Sequence, residues 1–114
     1  MSTTPTSPIQ TDRIRALNDD LRQNISGGRG HAVMTTGVAA LGAEAVARIV
    51  KTIEVYDDFC HANDPHEEHD FGSFEAEGHT IFFKIDLYED PNVKDSDGEP
   101  LVNRVLTIML ADEY

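Results

Sequence analysis

The strongest constraint in this sequence is a period-two hydrophobic pattern on either side of one dipeptide, Glu77-Gly78. After it, Ile81, Phe83, Ile85 and Leu87 alternate with Phe82, Lys84, Asp86 and Tyr88; before it, Phe74 and Ala76 alternate with Ser73 and Glu75. Side chains of a strand point alternately to its two faces, so both runs read as strands, and a two-residue link ending in Gly makes them a hairpin. The register follows by counting. Phe74 falls opposite Ile81, on one face with Phe83, Ile85 and Leu87, which is the core side. The opposite face carries Phe71, Glu75, Thr80, Phe82, Lys84, Asp86 and Tyr88, and three aromatics are unusual on a face meant only for solvent.

Other periodic segments supply the layers that cover this hairpin. Ile14, Leu17, Leu21 and Ile25 recur at steps of three and four behind a capping Thr11 or Asp12, a helix that Ser26-Gly27-Gly28 stops. A second helix is expected from about Gly42 to Asp58, with Val46, Ile49, Val50, Ile53 and Tyr56 as its stripe. The run from Gly30 to Thr36 reads as a short strand. Val102 to Ala111, apolar on both faces, reads as a central one. Residues 59–70 and 89–100 are polar and turn-rich, and are expected to be loops. The order α-β-α-β-β-β predicts an α+β fold, a mainly antiparallel four-stranded sheet with two helices packed on one face. Residues 1–10, with Pro5 and Pro8 among small polar residues, read as a disordered tail, and 11–114 as one domain.

Charge narrows the partners. The chain carries a net charge of −12, and between Glu54 and Glu99 fifteen acids face only Lys84 and Lys94, a net of −13. Such a field repels phosphates and membrane surfaces and attracts basic proteins, so direct nucleic-acid and membrane binding are not expected. No apolar run approaches the roughly 20 residues that cross a bilayer. With no signal-like start and one lone thiol, Cys60, the chain is expected to be cytoplasmic.

Chemical motifs are sparse. His61, His66 and His69 stand near Cys60, Asp64 and Asp70, offering every ligand type zinc uses, yet the spacing fits no helical His pair. A solvated loop is the expected reading, with no cofactor; His66, His69 and Asp70 are the alternative metal set. A calcium loop starting at Asp90 fails because Asp95 occupies the place of the required glycine. Lys84 lacks the acid two residues earlier that a restriction-type nuclease would use, since Phe82 stands there. No nucleophile elbow or phosphate loop occurs.

Several segments taken together, among them Asn18-Asp19-Asp20-Leu21-Arg22, Thr35-Thr36-Gly37-Val38, Asn63-Asp64-Pro65, Glu68-His69-Asp70-Phe71-Gly72 and Arg104-Val105-Leu106-Thr107, carry a resemblance. From about Asp12 to Tyr114 the chain resembles a domain-of-unknown-function family of small acidic bacterial proteins found on plasmids, prophages and other mobile elements. The resemblance implies a genomic setting and no activity; His61 and His66 lie outside the shared pattern.

Charge and setting together lead to an expected function. The chain reads as a non-enzymatic acidic binding protein that occludes the nucleic-acid groove of a host defence or DNA-handling protein, of the anti-CRISPR or antirestriction type. The expected partner-binding residues are Asp57, Asp58, Asp64, Glu67, Glu68, Asp70, Glu75, Phe82, Asp86, Tyr88, Glu89 and Asp90, with Phe71, Phe82 and Tyr88 as apolar anchors. Two alternatives stand beside it: a metal-dependent small hydrolase using His69 and Asp70, and a homodimeric interaction module joined at the aromatic face.

Overall fold

A computed structural model describes residues 8–27, 31–94, 98 and 100–114. Its elements are α1 (Pro8–Gln23), β1 (His31–Met34), α2 (Thr36–Ala39), α3 (Ala43–Glu54), β2 (Phe71–Ala76), β3 (His79–Lys94), β4 (Pro100–Leu110) and a closing 3-10 turn, Ala111–Glu113. Of the tail expected over residues 1–10, Pro8–Gln10 form the start of α1 and the rest lies outside the described residues. Proline suits a helix start, where its missing N–H would have had no intrahelical partner.

The sheet is mixed, in the order β1-β4-β3-β2. β2 and β3 form the expected hairpin, with Phe74 opposite Ile81 and the turn residues Glu77 and Gly78 both in the left-handed region at φ 55° and 77°. Two consecutive positive φ values define the turn whose twist matches paired strands, and glycine adopts one of them without strain. β3 and β4 are also antiparallel. β1, however, runs parallel to β4, with His31 beside Val105 and Met34 beside Ile108. The expectation of a mainly antiparallel sheet is corrected by this pair. Hairpin neighbours must reverse direction, whereas β1 is separated from β4 by two helices and two strands and is free to enter in either sense.

Two further expectations change. The strand expected to reach Thr36 stops at Met34, and Thr36–Ala39 makes an extra helical turn that buries Val38. The loop expected over 89–100 is largely ladder: β3 pairs with β4 out to Lys94 and Pro100, with a register shift between Asp90 and Lys94. The shift spans Pro91, which has no N–H for the ladder. Sixteen extended residues reach about 50 Å, which matches the molecule's longest dimension of 46 Å. β2 pairs with β3 no further than Lys84, and β1 pairs with β4 only from Val105 on. The β3–β4 ribbon therefore extends beyond the four-stranded sheet as a two-stranded arm, where Leu87, expected in the core, is 56% exposed.

One apolar core joins the helices to the sheet. Leu21 of α1, Val38 of α2, Ile49 and Ile53 of α3 and Tyr56 pack on Ile81, Phe83, Ile85, Leu106 and Ile108. These strand residues share one face by alternation, so all three helices lie on that side. Among the described residues none of α1, α2 and α3 lies on the opposite face.

Candidate functional site

Polar residues of the loop between α3 and β2 converge on α1. Asp64, buried, accepts hydrogen bonds at Oδ1 from the backbone N–H groups of Glu68 (3.0 Å) and His69 (3.1 Å). Glu67 and His69 adopt φ values of 56° and 55°, which cost a residue with a Cβ on the order of 1 kcal/mol each. Asp64 offsets that strain by satisfying the donors the turn exposes. Asn63 accepts from Cys60 N–H and donates to the Asp58 carbonyl, closing the earlier half of the loop.

His69 carries the contact to α1. Its Nδ1 lies 2.9 Å from Asp19 Oδ1 and its Nε2 3.6 Å from Asp64 Oδ2, while its ring stacks on Phe59 at 3.8 Å and 4°. Asp19 also pairs with Arg22 at 3.0 Å. Arg22, buried, donates to the carbonyls of Ile53 (3.0 Å) and Tyr56 (2.8 Å), in the last turn of α3 and just beyond its end. Buried Asn18 donates to the Glu68 carbonyl and accepts from Arg104 Nε, linking α1, the loop and β4. Arg15 donates to the Glu67 carbonyl.

This network accounts for the loop residues that suggested chemistry. Both ring nitrogens of His69 face carboxylates within the fold, His66 is exposed, and among the described residues no three of His, Cys, Asp and Glu converge as metal ligands. The hollow of about 280 Å³ beside His69, lined by Arg15, Phe59, Cys60, His61, Asp64 and Glu67, is open and shallow. Asp64, expected at a partner surface, is 5% exposed and works inside the loop.

The other expected binding residues divide between two regions. Asp57, Asp58 and Glu67 are exposed on the loop, and Glu89 is exposed on the arm; among the described residues no cation pairs with any of them. Three bases are engaged elsewhere: Arg15 with Asp12, Arg48 with Glu77 and Lys84 with Asp86. Asp70 lies between the regions. Its carboxyl is raised above the ordinary range by burial first, and the nearby Asp64 and Asp86 add to the rise. Glu68 is half-buried, and the Asp90 side chain lies outside the described residues.

The helix-free sheet face is built on Phe82. Its ring meets Phe71 at 5.1 Å and Tyr114 at 5.9 Å, both edge to face, and Lys84 Nζ lies 6.0 Å from the Tyr114 ring. Tyr88, expected here, is 53% exposed on the same face. Glu75 accepts from the Thr80 hydroxyl at 2.5 Å. Met109, opposite Phe82, is buried although no helix covers it. Tyr114 was not anticipated; nothing in its local pattern shows that the closing turn carries it back onto this face. Glu113 sets that turn, accepting from the Thr35 hydroxyl (2.5 Å) and from the N–H groups of Leu110 (2.9 Å) and Gly37 (3.1 Å).

No described helix is long and apolar enough to cross a membrane. No curated protein and no solved structure matches the chain. A family model does match, over residues 34–113: from the end of β1 through the loop, the arm and the closing turn, while Asn18–Arg22 precede it. The chain belongs to DUF3768, a family of proteins of unknown function.

Proposed function

We propose that this protein is a non-enzymatic acidic binding module, encoded by a mobile element, that docks on a basic nucleic-acid-handling protein and covers its groove. Inhibition of a host defence enzyme, of the anti-CRISPR or antirestriction type, is the concrete form of this reading. One observation carries it. The segment with a net charge of −13 leaves Asp57, Asp58, Glu67 and Glu89 exposed and without a paired cation among the described residues, while Arg15 pairs with Asp12 and Lys84 with Asp86.

Exposed carboxylates on the loop and on the projecting arm suit a groove lined by Lys and Arg. A variant carrying Asp57→Asn, Asp58→Asn, Glu67→Gln and Glu89→Gln keeps every backbone contact described above. Immobilised wild-type protein is expected to capture basic nucleic-acid-binding proteins from a bacterial extract, and added duplex DNA to displace them. Loss of capture by the variant supports the reading. Equal capture by both proteins would show that charge does not direct the docking.

A further inference from the structure

We propose that the helix-free sheet face is a self-association surface whose occupant is a second copy of this chain, packed face to face about a two-fold axis. Burial is the first ground. Phe71 and Phe82 are half-buried in contact with Tyr114 of the closing turn and Met109 is 4% exposed, while Val33 (by its register beside Thr107), Tyr88 and Tyr114 stand 50%, 53% and 76% exposed. Phe71, Phe82 and Tyr114 form one aromatic cluster on this side of the sheet, with Val33 and Tyr88 on the same face beyond Thr107, Lys84 and Asp86. Face-to-face packing of two sheets is a standard way to cover such a surface.

Charge selects the occupant. Among the described side chains the face holds Glu75, Lys84 and Asp86, a net of −1, whereas the chain carries −12. Two copies meeting here oppose little charge directly, although each is strongly acidic elsewhere. A basic partner would be drawn instead to the unneutralised carboxylates of the loop and arm. Lys84 and Asp86 lie two residues apart on β3, with Nζ and Oδ2 3.0 Å apart. A two-fold axis between them can place each lysine near the other copy's aspartate, so the pair is self-complementary in the way a two-fold interface requires.

The footprint is sufficient for a reversible contact. Four strands about 4.8 Å apart, of which β1 has four residues and β2 six, at about 3.4 Å per residue give roughly 400 Å² per copy, before side-chain relief is counted. Both copies together reach about 800 Å² before that relief, the size of a weak, transient contact, so association is expected only at high concentration.

Sedimentation equilibrium over a wide concentration range, at low and high ionic strength, tests this. The mass is expected to rise with concentration towards twice the 12.6 kDa of the chain, and to rise further with salt, which screens the repulsion between acidic copies. Tyr114→Glu, at a position exposed enough to leave the fold intact, and Lys84→Glu are each expected to weaken association at least tenfold. Val55→Glu, 69% exposed beyond α3 on the helix side, is expected to leave it unchanged. A wild-type protein that stays monomeric at high concentration and high salt would overturn the proposal. So would Tyr114→Glu and Lys84→Glu variants that associate as the wild type does. Docking of a basic partner weakens with salt and self-association strengthens, so failure of one reading is distinguishable from failure of the other.

Discussion

Single residues here are constrained mostly by what surrounds them. A Cβ on Gly72 would lie 2.2 Å from the Phe83 ring and 2.8 Å from that of Tyr56, both buried. Gly72→Ala is therefore expected to cost about 2–3 kcal/mol, the usual range for forcing extra volume into a packed core, read as a lower midpoint in urea. A cost under about 0.5 kcal/mol would mean that the two rings move easily. Two carboxyls predict opposite pH behaviour. Asp70, raised chiefly by burial, favours the fold while protonated, and that stability is lost as pH rises through its folded pKa. Asp70→Asn should raise the melting temperature at neutral pH and leave it unchanged well below the carboxylate range. Glu113 is lowered, first by the Thr35 hydroxyl and then by the Leu110 N–H, so its stability is present above the ordinary glutamate range and lost as pH falls through the folded pKa. Glu113→Gln should lower the melting temperature at neutral pH only. Equal shifts at both pH values for either variant would contradict the assignment.

At the scale of elements, local pattern carried the hairpin and tertiary contact carried the rest. Alternation around Glu77-Gly78 was enough to place Phe74 against Ile81, because a two-residue turn leaves one register. The helical stripe through Ile49 and Ile53 was equally legible. The sense of β1 was not, since a four-residue strand has no turn to dictate its neighbour. Nor was the arm, where Pro91 and the acids hid a ladder that survives a register shift. The loop was read as polar without its purpose being visible: His69, Asp64 and Asp19 meet only because α1 lies beside the loop. Arg22, which lies off the apolar stripe of α1, is nevertheless 3% exposed, holding the end of α3. Arg22→Leu leaves the Ile53 and Tyr56 carbonyls without these donors and should cost about 3 kcal/mol in denaturant unfolding. A loss below about 1 kcal/mol would show that water serves those carbonyls as well.

The whole molecule has two unlike surfaces. One is a nearly neutral aromatic sheet face; the other is the acidic loop and arm, whose exposed carboxylates have no internal partner among the described residues. Composition revealed the excess of acid, but only folding shows which acids remain available: Asp64 is buried, Glu77 is paired with Arg48, and Asp57, Asp58, Glu67 and Glu89 stay outside. If those four do the binding, long-range attraction sets the strength of capture and ionic strength controls it. The most direct measurement is the recovery of basic nucleic-acid-binding proteins on the immobilised wild-type protein as salt is raised from low to high. Recovery that falls steeply, and that the four-site neutralised variant lacks even at low salt, is the predicted result. Recovery that is indifferent to salt, or equal for the variant, would contradict binding through charge.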